Sequence, residues 1–207
     1  MLDRYPLLPG AEPFFFKGND IGIMISLGFV GTPQSIRFLG EYIASQGYTV
    51  YAPRLKGHGT HFEDMEKCNY QNWIQSLEDG YHFLKQHCRD IFIIGQSMGG
   101  TLAINLANKK TPIQSIKQLL SLMDETRQRL PNVTNPVLAF QSVEDHIVPP
   151  ENTDYIMAHT QSDFKEIIPL YNSYHVASMD NEKEFIAEQC CLFIEKYHSN
   201  QKKKRIL

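Results

Sequence analysis

The segment IIGQSMGG, at positions 93–100, decides how the rest of the chain is interpreted. A short β-branched apolar run meets three glycines around Ser97, and a helix-like stretch follows at once. Gly95 and Gly99 each stand two positions from the serine, where side chains would collide in a sharp strand-to-helix turn. Ser97 is therefore either an exposed nucleophile at such a turn or a small residue that lets the chain bend.

Strand and helix patterns alternate along the whole chain. Short apolar runs, of the kind found in buried parallel strands, precede stretches with helical spacing of apolar residues. The predicted strands cover 21–27, 48–53, 91–94, 137–141 and 165–170, and the predicted helices cover 36–47, 70–88, 101–108, 113–123, 152–158 and 181–197. This alternation predicts an α/β fold with a doubly wound, mostly parallel sheet.

The last predicted helix begins at Asn181, and Glu184 three residues later predicts a capping box. Its apolar spacing directs four side chains toward the core, namely Phe185, Ile186, Leu192 and Phe193. The four cysteines show no metal-ligand spacing, and we expect them to be buried, reduced thiols: Cys68, Cys88, Cys190 and Cys191.

Length and composition favour one domain over 1–207. The chain has 207 residues, 42% of them hydrophobic, which is enough for one sizeable core. A net charge of −3 argues against nucleic acid or an anionic membrane as a partner, and the basic run 202–205 is interpreted as a solvated tail. There is no signal-peptide pattern and no apolar run of about 18 residues, so we expect a cytoplasmic protein without stable membrane insertion. The oligomeric state stays open.

With these elements assigned, Ser97 lies where a predicted strand ends and a predicted helix begins. This is the position of the nucleophile in a strand-to-helix elbow, and the helix N-terminus favours developing negative charge there. A glycine-rich turn that binds a dinucleotide is the alternative, but its fingerprint requires glycine at position 97. The pattern favours a nucleophile.

A serine hydroxyl needs a base, and the base needs an orienting acid. His175 follows the last predicted strand in a short loop, and Asp145 follows the strand before it. The chain order Ser97, Asp145, His175 is the order of an α/β-hydrolase triad. Glu144 is a weaker candidate for the acid, because it would point to the other side of an extended segment. His58 is the other histidine to consider, and its loop is expected to shape the rim of the site.

Five segments resemble the α/β-hydrolase family, and specifically the small bacterial carboxylesterases related to monoacylglycerol lipases. They are EPFFFKG, GFVGTPQSIRFLGEYIASQGYTVYAPRLKGHGT, GQSMGG, EDHIVP and SYHVASMD, and together they span most of the chain. The resemblance implies that the backbone N–H groups of Phe29 and Met98 form an oxyanion hole, that the substrate is a small-molecule ester, and that no metal or organic cofactor is needed. The position of Met98 at a helix N-terminus agrees with that role.

One departure from the family pattern lies beside the oxyanion hole. Leu27 stands where family members usually carry a histidine that supports the Phe29 loop, so the loop is expected to be looser. One misplaced oxyanion donor costs about 100- to 1,000-fold in rate.

The larger departure lies near 109–112, where a sheet strand and most of the helical cap are missing from the pattern. Only 48 positions separate Ser97 from Asp145 as a result. Loss of a central strand would either leave backbone groups unpaired or bring the strand at 137–141 beside the strand at 91–94.

The sequence thus predicts a serine carboxylesterase that hydrolyses short- to medium-chain or monoacylglycerol-like esters through an acyl-enzyme on Ser97. A missing cap would leave the site open, which favours small or short-chain esters. Two alternatives remain. One is a degenerate hydrolase that binds a partner without catalysis, and the other is a thioesterase or acyltransferase that uses the same acyl-enzyme.

Overall fold

A four-stranded sheet forms the centre of the computed structural model, which describes residues 3–107 and 116–204. Its strands follow the order β1-β3-β2-β4, where the labels denote β1 (Phe14–Phe16), β2 (Ile21–Ser26), β3 (Thr49–Ala52) and β4 (Asp90–Gly95). β2 is parallel to both of its neighbours, whereas β1 is antiparallel to β3 at the edge. The short strand β1 was not predicted from the sequence.

β2 is the most deeply buried strand, since all six of its residues are buried. An unbroken apolar run suits a strand that helices cover on both faces. The register with β4 runs from Ile21 opposite Asp90 to Ser26 opposite Gly95. The carboxyl ends of β2 and β4 therefore lie side by side, so the loop after β2 and the Ser97 turn leave the same edge of the sheet.

Seven α-helices lie in the described part of the chain: α1 (Arg37–Ser45), α2 (Phe62–Glu66), α3 (Tyr70–Lys85), α4 (Met98–Ala107), α5 (Ile116–Arg129), α6 (Glu151–His159) and α7 (Lys183–Lys204). α3 begins at a capping box, because the side chains of Asn69 and Asn72 each accept the other residue's backbone N–H. Its apolar face buries Trp73, Leu77 and Leu84. The alternation of strands and helices confirms the predicted α/β fold with a mostly parallel sheet.

The sheet is divided, because β5 (Val137–Ser142) and β6 (Lys165–Leu170) form a separate parallel pair. Within 3–107 and 116–204, no strand joins β4 to β5. β4 is half-buried throughout and β5 nearly so, unlike β2. The sequence analysis expected a lost strand either to leave backbone groups unpaired or to bring β5 beside β4. The structure does not pair β5 with β4. The predicted deletion at 109–112 lies outside the described residues.

The N-terminal end and the inward face of α7 differ from the sequence prediction. The helix begins at Lys183, so Asn181 does not occupy its N-cap position and the predicted capping box is wrong. The Asn181 side chain instead donates to the backbone oxygen of Asn172 at 2.9 Å. Phe185 and Leu192 were expected inside but are 40% and 51% exposed. Ile186 is buried as predicted, and the other buried apolar side chains of this helix are Ala187, Cys190, Cys191, Ile194 and Tyr197.

The four cysteines are buried and form no disulfide, as predicted. Burial raises the pKa of the Cys190 thiol to about 12, with a smaller contribution from Cys191. Such thiols act as small apolar side chains in the core. No helix in the described ranges is both long enough and apolar enough to cross a membrane.

Candidate active site

Ser97 occupies a strained turn between β4 and α4. Its φ is +54°, in the left-handed region that residues other than glycine rarely adopt. A Cβ atom added to Gly95 would lie 2.3 Å from the backbone oxygen of Gly99, and one added to Gly99 would lie 2.3 Å from that of Ser26. Both glycines are therefore required for steric reasons. Backbone strain of this kind persists where the surrounding structure fixes the conformation. The turn places the exposed serine above the strand ends.

The three predicted triad residues lie in one hydrogen-bonded row. Ser97 Oγ–H donates to His175 Nε2 at 3.0 Å, and His175 Nδ1–H donates to Asp145 Oδ2 at 2.8 Å. The side chains of His175 and Asp145 are 18% and 10% exposed. Asp145 follows β5 and His175 follows β6, so the divided sheet still brings three carboxyl-terminal strand ends together.

Asp145 is held as a carboxylate by the loop that carries it. Its Oδ1 accepts the backbone N–H groups of Ile147 and Val148, each at 2.9 Å. Burial would raise the pKa of Asp145, but the hydrogen bonds from Val148, His175 and Ile147 hold it below its ordinary value of 3.8. Glu144 is exposed, and its carboxylate lies 3.4 Å from Nε2 of the exposed His146.

Two acidic residues that sequence reasoning missed brace the loop of His175. Glu182 accepts the backbone N–H of Asn172 at 2.8 Å, and Asp180 accepts that of Tyr174 at 2.7 Å. Both residues follow the loop and precede α7, so their carboxylates hold the backbone of the His175 loop from one side. In the sequence, these two acids look like the acidic residues that commonly precede a helix, and no local pattern indicates that they hold the His175 loop.

Ser178 connects the histidine loop to the nucleophile turn across the divided sheet. Its Oγ lies 2.9 Å from Oε1 of Gln96 and 3.1 Å from the backbone oxygen of Ser35. Because Gln96 precedes Ser97, this contact ties the position of the nucleophile to the loop after β6.

The loop after β2 packs directly against the nucleophile. A Cβ atom added to Gly28 would lie 3.4 Å from Ser97 Cβ, so the backbone approaches closely there. Val30 has a φ of +54°, which makes the segment strained like the serine turn. Met98 is the first residue of α4 and is 4% exposed. Phe29 and Met98, the two predicted oxyanion donors, thus belong to the two segments that flank Ser97.

His58 lies inside the protein, although its loop was expected to shape the rim of the site. The side chain is fully buried, and burial lowers its pKa to about 4 despite a hydrogen bond to the backbone of Lys56. Its ring packs against Phe29 and Trp73, at centroid distances of 6.5 Å and 5.6 Å. The ring thus lies beneath the Phe29 loop.

Exposed apolar side chains lie next to the site residues in the described part of the chain. Three exposed side chains follow or adjoin site residues: Val30 is 67%, Ile147 71% and Val176 43% exposed. Within 3–107 and 116–204, no group of three histidine, cysteine, aspartate or glutamate side chains could hold a metal ion. The arrangement is suited to nucleophilic attack on a small molecule that arrives from solvent.

Comparison with known proteins identifies the family of the chain. A family model described as serine aminopeptidase, S33 matches residues 21–115. A thermostable monoacylglycerol lipase from Bacillus sp. (strain H-257) is 39% identical over 248 aligned positions, which cover 95% of this chain and 99% of the relative. A carboxylesterase from Bacillus subtilis (strain 168) is 24% identical over 237 positions, covering 89% and 96%.

Among solved structures, one reported for LipS and LipT, two metagenome-derived lipolytic enzymes, is 34% identical with a TM-score of 0.86. The match covers 92% of this chain and 100% of that chain. The fold and the elbow-borne serine define the class of the α/β-hydrolases. This chain belongs, within that class, to the group of carboxylic ester hydrolases that contains the monoacylglycerol lipases and carboxylesterases.

The alignment with the monoacylglycerol lipase is longer than this chain. Since 95% of the chain is about 197 residues, about 50 of the 248 aligned positions have no residue here. The match covers nearly the whole relative, so these positions fall inside the alignment.

Proposed function

We propose that the chain is a serine carboxylesterase in which Ser97 is the nucleophile, His175 the general base and Asp145 the orienting acid. The backbone N–H groups of Phe29 and Met98 bind the oxyanion. The observation that carries this proposal is the row of hydrogen bonds from Ser97 to His175 at 3.0 Å and from His175 to Asp145 at 2.8 Å. An exposed, strained serine with a base and an orienting carboxylate is what acyl transfer requires.

The reaction proceeds in two acyl-transfer steps. His175 Nε2 takes the Ser97 proton while Oγ attacks the ester carbonyl, and the resulting imidazolium then protonates the leaving alcohol. Water, deprotonated by the same nitrogen, attacks the acyl-enzyme and releases the carboxylic acid. Asp145 keeps the imidazole proton on Nδ1 and stabilises the charged ring, and its own lowered pKa keeps it ionised throughout.

We infer the substrate class from the exposed nucleophile and the shortened chain. The proposal includes a single domain over 1–207 whose cap near 109–112 is largely absent. The exposed Ser97 and the roughly 50 aligned positions without a residue support it. Without a cap, a long acyl chain gains little buried surface, because about 0.8 kcal/mol per methylene is available only when the chain leaves water. Short- to medium-chain esters, including monoacylglycerol-like ones, are the expected substrates.

Labelling with a serine-directed fluorophosphonate tests the nucleophile. We expect stoichiometric labelling of the wild-type chain and none of Ser97→Ala, while Ser45→Ala, which removes an exposed serine of α1, labels like the wild type. Turnover of an ester should fall about a million-fold in Ser97→Ala. A folded wild-type chain that takes no label would defeat the enzyme proposal and favour a non-catalytic binding protein.

A series of p-nitrophenyl esters with acyl chains of increasing length tests the substrate class. The expected result is the highest kcat/KM for short and medium chains. A clear preference for long chains would contradict the open-site proposal without affecting the triad. Matched thioesters, measured beside the esters, distinguish an esterase from a thioesterase.

A further inference from the structure

The backbone that carries the Phe29 oxyanion donor needs support from outside its own loop. Val30, the next residue, holds a φ of +54° although it is β-branched and 67% exposed. A non-glycine residue in that region persists only when its surroundings over-determine the conformation. Within the loop, the backbone N–H of Gly31 donates to the oxygen of Gly28 at 3.1 Å, which closes the turn but does not attach it to the core.

A cluster of three aromatic rings, Phe29, His58 and Trp73, supplies that attachment. Phe29 lies edge-to-face with Trp73 at 5.8 Å and 66°, and with His58 at 6.5 Å and 79°. His58 and Trp73 themselves meet at 5.6 Å and 83°. Edge-to-face geometry at these distances is favourable, and the two fully buried rings, His58 and Trp73, form a fixed surface for the partly exposed Phe29 ring.

Two rings of this cluster are fixed to the same carbonyl. The backbone oxygen of Lys56 accepts Trp73 Nε1–H at 3.1 Å and lies 3.3 Å from His58 Nδ1. Arg54 Nη1 donates to the backbone oxygen of His58 at 2.8 Å. The loop around His58 is thus held at its side chain and at its main chain.

We propose that His58 is a positioning residue for the oxyanion hole, which holds the Phe29 peptide against Ser97 through the Phe29 ring; this rests on the proposed function. His58 Nε2 is buried and has no hydrogen-bond partner among residues 3–107 and 116–204. An apolar side chain would avoid that cost, so stability does not account for a histidine here. The imidazole combines an anchoring N–H with a flat ring edge. Leu27 offers no polar support to the same loop, and the ring cluster supplies a side-chain contact that attaches the Phe29 segment to the core.

The effect of losing this support is expected in kcat. A full oxyanion donor is worth about 100- to 1,000-fold, so a loosened one should cost about 10- to 100-fold in kcat with KM changed less than about 3-fold. His58→Asn keeps an N–H near the Lys56 carbonyl but removes the ring edge, and should show this loss. His58→Phe keeps a ring of similar shape and should recover most of kcat.

A double-mutant cycle with Phe29→Ala distinguishes positioning from a general effect on the fold. Phe29→Ala keeps the backbone N–H but removes the ring that His58 contacts, so His58→Asn should cost little more in that background. Rates are expressed per active site, counted with a fluorophosphonate, so that unfolded protein does not contribute. Additive losses in the double variant, or an unchanged kcat in His58→Asn, would overturn the inference.

Trp73→Phe provides a second route if His58→Asn does not fold. It keeps an aromatic ring but loses the Nε1–H bond to Lys56, and should lower kcat at nearly constant KM. An undiminished kcat in Trp73→Phe would likewise contradict the inference. A wild-type chain that neither labels nor hydrolyses any ester would defeat the proposed function instead, so the two failures are separable.

Discussion

Acidification should destabilise the folded chain through His58. The imidazole is fully buried, and burial lowers its pKa from 6.5 to about 4; the hydrogen bond to the Lys56 backbone opposes the shift, and the charge of Arg54 adds to it. Between these two pH values the unfolded chain binds a proton that the folded chain does not. Stability from this group is therefore complete above pH 6.5, falls as the pH is lowered toward about 4, and changes no further below that.

The magnitude follows from the size of the shift. One pKa unit corresponds to about 1.4 kcal/mol, so a fall from 6.5 to about 4 corresponds to about 3 kcal/mol of unfolding free energy. This is a large fraction of the roughly 5–15 kcal/mol by which domains are stable.

Urea unfolding of the wild type and of His58→Phe, at several values from pH 7.5 to pH 4, isolates this contribution. The other titrating groups are common to both proteins and cancel in the difference. We expect the difference in unfolding free energy to move by about 3 kcal/mol in favour of His58→Phe as the pH falls. His82→Phe, at an exposed histidine of α3, serves as the control and should run parallel to the wild type. Parallel profiles for His58→Phe would refute the reasoning.

Three further predictions follow from the site and the sheet. Asp145→Asn should lower kcat about 10,000-fold at neutral pH, because the amide no longer selects the productive histidine tautomer, and steady-state ester kinetics measure this. Gly99→Ala should prevent the native turn, since its Cβ would lie 2.3 Å from the Ser26 carbonyl oxygen, whereas Gly100→Ala should fold normally because its nearest contact is 3.4 Å; thermal unfolding compares the pair. Amide hydrogens of β2 should exchange far more slowly than those of β5 and β6, because β5 is only half-buried, β6 is mostly exposed and the two form a separate pair; equal protection would contradict this.

The nucleophile turn was predictable because its constraints are local. Gly95 cannot carry a side chain because Gly99 and Gly100 of the same turn block it, and Ser97 adopts the left-handed conformation that such a turn demands. Gly99 is blocked instead by the backbone of Ser26 and Leu27 at the end of β2, a contact that the sequence pattern does not show. The candidate base and acid were predictable because parallel strands end in loops at the same edge of the sheet. The chain order of the strands therefore gives the order of Ser97, Asp145 and His175.

Other parts of the site were not predictable from local patterns. The face of α7 that enters the core carries Cys190 and Ile194 and leaves Leu192 exposed. Both faces of that helix contain apolar residues, so periodicity alone selects neither. The burial of His58 depends on Trp73, whose position relative to the loop is set by the Lys56 carbonyl.

The sequence by itself determined most of the strands and helices, the α/β class, and the turn that presents Ser97, because these depend on side-chain period and on short-range steric exclusion. Only the tertiary structure decided that the sheet is divided between β4 and β5, and that Ser97 and His175, 78 positions apart, nevertheless meet at 3.0 Å. Contacts between distant segments depend on how whole elements pack, and no period in the chain encodes that packing. The same packing places an aromatic cluster under the Phe29 loop, where the sequence pattern showed only a missing histidine.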